Sequence, residues 1–152
     1  MFLGAGLQEL KTMQSKLLRL YRLRENTFNV LENKKVEVDF DTVSKEINEL
    51  VTNIRELKVQ INKTNTNTTI RVEDKDMTIQ ELIIIIGDLR SELSRLQLLR
   101  PRGPVYLGGQ AVEYIPQKKQ NEIANLISDM EQRKADLDKV LQSNNWKTEL
   151  IQ

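Results

Sequence analysis

Asp74-Lys75-Asp76 sets two carboxylates at the spacing that opens a calcium loop, where alternate side-chain oxygens turn inward onto one cation. The rest of such a loop is missing. Its sixth position falls on Ile79, where the sharp turn needs Gly, and its twelfth on Ile85, where the ion needs a bidentate Glu. Gly4-Ala5-Gly6 carries two glycines of a dinucleotide-binding turn without the third and without a preceding strand, so it reads as a cap or a frayed end. The chain has no His and no Cys. An imidazole base, a thiolate nucleophile, a disulfide, the usual zinc sites and a Glu-x-x-His di-iron centre are therefore excluded. No catalytic, cofactor-binding or metal-binding residue is assigned, and the chain is read as a non-enzyme without a cofactor.

Two groups of side chains suit binding better than chemistry. Lys11, Lys16, Arg19 and Arg22 fall on one side of a helix at 100° per residue, with Arg100 and Arg102 as further cations that a fold can bring near them. That patch has no interleaved aromatic residues. A solvated face pairing with Glu46, Glu49 or Glu56 is the favoured reading, and RNA or DNA binding through it the weaker one. Trp146 and Leu150 form an apolar anchor beyond the last helix, serving either a tail folded onto its own chain or a latch onto a second subunit.

Four helical segments position these residues. In the second, Phe40, Val43, Ile47, Leu50, Ile54, Leu57 and Ile61 recur at alternating steps of three and four, a heptad seam. Asp39 or Asp41 caps its start, and it is expected over 41–62. The Asn- and Thr-rich run 62–69 is expected to turn because such side chains bond their own backbone. Asn62-Lys63-Thr64 and Asn67-Thr68-Thr69 within it match the glycosylation triplet but read as turn residues. The first segment buries an arc from Leu3 to Phe28, and residues 32–39 form a loop. Thr78-Ile79-Gln80-Glu81 is a capping box opening the third segment, whose apolar residues Ile83, Ile84 and Ile85 beside the seam mark it as central, touched on several sides. The fourth is expected over 117–143 with Pro116 in its first turn. Ile70-Arg71-Val72 reads as a short strand, and Val105-Tyr106-Leu107 with Ala111 to Ile115 around Gly108-Gly109 as a small hairpin.

Composition agrees with this. The 152 residues make one domain, 1–152, and 30% charged residues with few Gly and Pro suit long helices. Twenty-three Lys and Arg against 22 Asp and Glu leave a net charge of +1, so no global field draws nucleic acid or an acidic membrane. The apolar run 82–86 is bounded by Glu81 and Asp88, too short to span a bilayer, and no secretory start is read, which places the chain in the cytoplasm.

Three stretches taken together, Ile61-Asn62-Lys63-Thr64-Asn65, Thr78-Ile79-Gln80-Glu81-Leu82-Ile83 through Asp88-Leu89-Arg90, and Asn145-Trp146-Lys147-Thr148-Glu149-Leu150, resemble the septicolysin-like family of small, largely uncharacterised prokaryotic helical proteins. Gly87 departs from that pattern where a basic residue would precede Asp88. The resemblance implies a helical, oligomeric protein, and the family's name adds membrane-active, pore-forming behaviour as an alternative. The expectation is a mainly α, elongated four-helix bundle with a minor β-hairpin element. Its apolar stripes exceed what one slender bundle covers, so it is read as a self-associating structural or interaction protein, a homo-oligomer of two or a higher even number of copies.

Overall fold

The carboxylate of Asp39 accepts the backbone N–H of Thr42 at 2.8 Å and its hydroxyl at 2.7 Å, and these two bonds start the longest helix of the molecule. Both favour the ionised form, the side-chain bond more, and hold Asp39 below the usual carboxylate range. In the computed structural model, which describes residues 1–152, this helix (α2) covers Phe40–Asn67. Six of its seam residues, Val43, Ile47, Leu50, Ile54, Leu57 and Ile61, are buried. Each contributes about 1.5–3 kcal/mol relative to exposure, so the seam fixes which side of α2 faces inward. Phe40, the first of the heptad, is exposed and meets Phe28 edge-on at 5.8 Å.

Residues 62–67 do not turn away as expected; α2 continues through them. The Thr64 hydroxyl donates to the Gln60 carbonyl at 2.8 Å, that of Thr66 to Asn62 at 2.9 Å, and the Asn67 amide to Lys63 at 2.7 Å. The polar side chains bond backward along the helix instead of forward into a turn, a use open to Ser, Thr and Asn that composition does not distinguish.

The first helix (α1, Leu3–Thr27) runs antiparallel to α2, with Gly6 near Leu57, Lys16 paired to Glu46 and Arg24 bonded to Ser44. Leu20 joins Val43, Ile47, Leu50 and Ile54 in a small core toward the far end of this hairpin. After α2 the chain forms a tight strand pair, β1 (Thr69–Val72) with β2 (Lys75–Thr78), the second strand being one the sequence reading did not mark. Its turn residues Glu73 and Asp74 both have positive φ, 47° and 63°. That is the geometry of a two-residue hairpin loop, adopted here without glycine.

The third helix (α3, Ile79–Leu96) opens on the capping box read from sequence: Glu81 N–H donates to the Thr78 hydroxyl, and Thr78 N–H to the Glu81 carboxylate. The backbone bond, then the hydroxyl, holds Glu81 below its ordinary pKa. Ile79, Leu82, Ile86, Leu89 and Leu93 are buried. Ile84 is not: it is 52% exposed, on the outward face, so α3 is covered on one side and not all round.

Residues 97–119 form an arm containing a second strand pair, β3 (Val105–Leu107) and β4 (Gln110–Val112), turned by Gly108 and Gly109, which again both take positive φ. The last helix (α4) covers Gln120–Asn145 and begins beyond Pro116, because the Lys119 backbone N–H bonds the Glu122 carboxylate at 2.7 Å and fixes the start there. The molecule is thus mainly helical, with four helices and two small antiparallel strand pairs. The main core lies where the elements converge, with Leu3, Leu57, Ile61, Val72, Ile79, Leu82 and Leu137 among its buried members.

Candidate interaction site

The start and end of the chain meet on this core. Leu3 N–H donates to the Thr148 carbonyl at 2.8 Å and Leu150 N–H to the Met1 carbonyl at 2.9 Å, with Phe2 and Glu149 paired as an isolated antiparallel bridge. Ile151 N–H reaches the hydroxyl of Thr64 at 2.9 Å. Thr64 is fully buried, so the hydroxyl that prolongs α2 also receives the tail. Gly4 and Gly6 are not a frayed end but lie within α1 under this tail. A Cβ on Gly4 would stand 2.8 Å from the Trp146 ring, and one on Gly6 2.7 Å from a Leu150 methyl. At Gly4 only a missing side chain lets the rigid indole approach the helix this closely, whereas at Gly6 the near atom is the end of a flexible side chain.

Trp146 and Leu150 are therefore seated on their own chain. Leu150 is half-buried. Trp146 packs against Gly4 yet remains 54% exposed. Lys11, Lys16, Arg19 and Arg22 are all exposed on α1. Lys16 pairs with Glu46 at 2.7 Å, one of the acidic partners expected on α2. Arg100 and Arg102 do not join that patch. They sit on the arm between α3 and α4, where Arg100 donates to the Gln97 and Leu99 carbonyls and Arg102 stacks on Tyr114 at 4.6 Å from the ring centre.

Two features of the surface were not marked by the sequence reading. An open groove of about 570 Å³ runs between α1 and α2, floored by Leu17, Tyr21, Val51 and Val59 and edged by Arg55 and Lys58. Its signal in the sequence is that Val51 and Val59 lie off the heptad seam. The other is the arm, whose Leu98, Tyr106, Leu107, Tyr114 and Ile115 are exposed, Ile115 at 87%. A smaller recess of about 390 Å³ lies at its root, between Leu99, Pro101, Pro116 and Ile123.

Only one charged pair ties the elements together with forked geometry. Arg133 of α4 donates through Nε and Nη2 to the two Glu73 oxygens, both at 3.1 Å. These bonds lower the Glu73 pKa and raise that of Arg133. They also tie the β1–β2 turn to α4. No three His, Cys, Asp or Glu residues gather to hold a metal ion. No helix is long and apolar enough to cross a membrane.

Comparison with known proteins agrees on the fold and corrects one expectation. A crystal structure of a functionally unknown conserved protein from Corynebacterium diphtheriae superposes with a TM-score of 0.80 over 99% of each chain at 23% identity, a likeness of fold. No curated protein matches the chain. The septicolysin-like resemblance is overturned: the family model that matches carries no such assignment, and neither does the similar structure. The quoted stretches are the late turns of α2, the capped first half of α3 and the clasped tail. Each has a structural role in this fold. The match to that model extends over residues 11–150, and the chain belongs to this family of unknown function, DUF6847.

Proposed function

We propose that the protein is a non-catalytic, self-associating helical scaffold whose working form is a two-fold homodimer. The observation that carries this reading is surface area. The chain exposes 11675 Å². A compact monomer of this mass is expected to expose about 8000 Å². Slender helices account for part of the difference, but the exposed surface includes Phe28, Leu31, Leu98, Tyr106, Leu107 and Ile115, and only 20 of 152 residues are buried. A stable dimer removes on the order of 2000 Å² or more from water in total, well within this surplus. Association through like faces closes as a pair, which limits growth to two copies.

Static light scattering over a hundredfold range of concentration tests the reading. The expected mass at the upper end is twice the 17.7 kDa of one chain. A particle of single-chain mass at every concentration would overturn it.

A further inference from the structure

We infer that the arm 97–119 is the dimerisation element, and that it closes over the outward face of α3 on a second copy. The inference rests on the self-association proposed above and names its site. A pair of three-residue strands is marginal on its own in water, and here neither strand carries a buried residue. Its apolar side chains lack a cover within the chain, as the exposure of Tyr106, Leu107 and Ile115 shows.

Charge selects the second copy as the cover. The arm carries Arg100, Arg102, Lys118 and Lys119 against Glu113 alone. Three of the chain's other surfaces show the contrast. The α1–α2 groove is edged by Arg55 and Lys58 and repels a basic arm. The outer face of α1 carries Lys11, Arg19 and Arg22 and repels it too. The outward face of α3 attracts it: Ile84, Asp88 and Glu92 follow one another at helical spacing, all exposed, with Ile84 an unpaired apolar anchor between Glu81 and Asp88. Arg95 alone opposes on that face. A two-fold axis near the end of α3 sets each arm over the other chain's Ile84–Asp88–Glu92 stripe, so the contact is made twice. Arg102, whose stacking on Tyr114 leaves the N–H edge of its guanidinium open, and Lys118 are the cations placed to pair, since Arg100 is occupied by its own carbonyls and Lys119 lies at the start of α4.

Sedimentation equilibrium of charge-reversed variants tests this. Arg102→Glu with Lys118→Glu, and separately Asp88→Lys with Glu92→Lys, are each expected to weaken dimerisation at least tenfold. The combined four-fold variant should recover most of the loss, which a merely structural defect would not. The absence of native Cys gives a second readout. Mixed Ile84→Cys and Ile115→Cys proteins should be joined by a short bis-maleimide into a covalent pair, whereas the absence of that pair would overturn the assignment. A wild-type dimer unmoved by both reversals sinks the arm while leaving self-association intact; a wild-type monomer sinks the self-association itself. A monomer whose arm binds phosphatidylserine vesicles or single-stranded RNA, lost in Arg102→Glu with Lys118→Glu, overturns both.

Discussion

The junction where the two ends of the chain meet and the arm between α3 and α4 are built from similar residue types and reach opposite outcomes. At the junction Leu3, Ile79 and Leu82 are fully buried, and the tail is fastened by backbone bonds to Met1 and Leu3 and by the Thr64 hydroxyl. In the arm, Leu98, Tyr106 and Ile115 stay in water, and the strands bond only to each other. Apolar content alone therefore does not say what is core. Convergence of several elements does, and the arm has none converging on it.

Substitutions at the two places should separate them. Leu82→Ala leaves a cavity with no route to collapse and is expected to lower unfolding stability by about 3 kcal/mol in urea titration. Were it to cost no more than an exposed residue, the junction would not be the core. Gly4→Ala drives a methyl into the Trp146 ring and should cost about 2 kcal/mol. Gly6→Ala meets only a Leu150 methyl that can rotate aside, so it should be near neutral; equal costs at the two glycines would contradict the close approach of the indole. Thr64→Val strips the tail's N–H of its partner and should cost about 1 kcal/mol, seen also as faster amide exchange at Ile151.

The Glu81 cap gives a pH signature. Its folded pKa lies below the unfolded one, so its contribution is present above the ordinary glutamate range and is lost as pH falls through the lowered folded value. Glu81→Gln should flatten that part of the stability–pH curve, and an unchanged acid limb would remove the carboxylate from the cap. The smallest effect is expected in the arm. In samples dilute enough to be monomeric, Tyr106→Ser should change unfolding by less than about 0.5 kcal/mol. A larger loss would show the arm to be part of the fold.

What could be read from the sequence was what periodicity and caps encode. The α2 seam from Val43 to Ile61 is a local repeat, and Thr78 with Glu81 is a local pair, so both stand in the sequence as they stand in space. The extension of α2 through Asn67 was not legible, since Thr64 and Asn67 can bond backward or forward and the receiving tail lies 87 residues away from Thr64. Gly4 and Gly6 looked unremarkable for the same reason: the side chains that lie over them, Trp146 and Leu150, are at the opposite end of the chain. Ile84 was legible as outward, since it lies opposite the seam Ile79, Leu82, Ile86, Leu89 and Leu93 at 100° per residue, but the run of apolar neighbours suggested a cover that the chain does not supply. Trp146 was legible as an anchor, its partner was not.

The pairing of Phe2 with Glu149 places the two ends of the polypeptide within a strand's width of each other. A short glycine-rich bridge could join them, and new ends could then be cut at the exposed turn Gly108-Gly109. Such a rearranged chain would carry its openings at the arm's tip while keeping the closed junction intact, turning the molecule inside out in order but not in space.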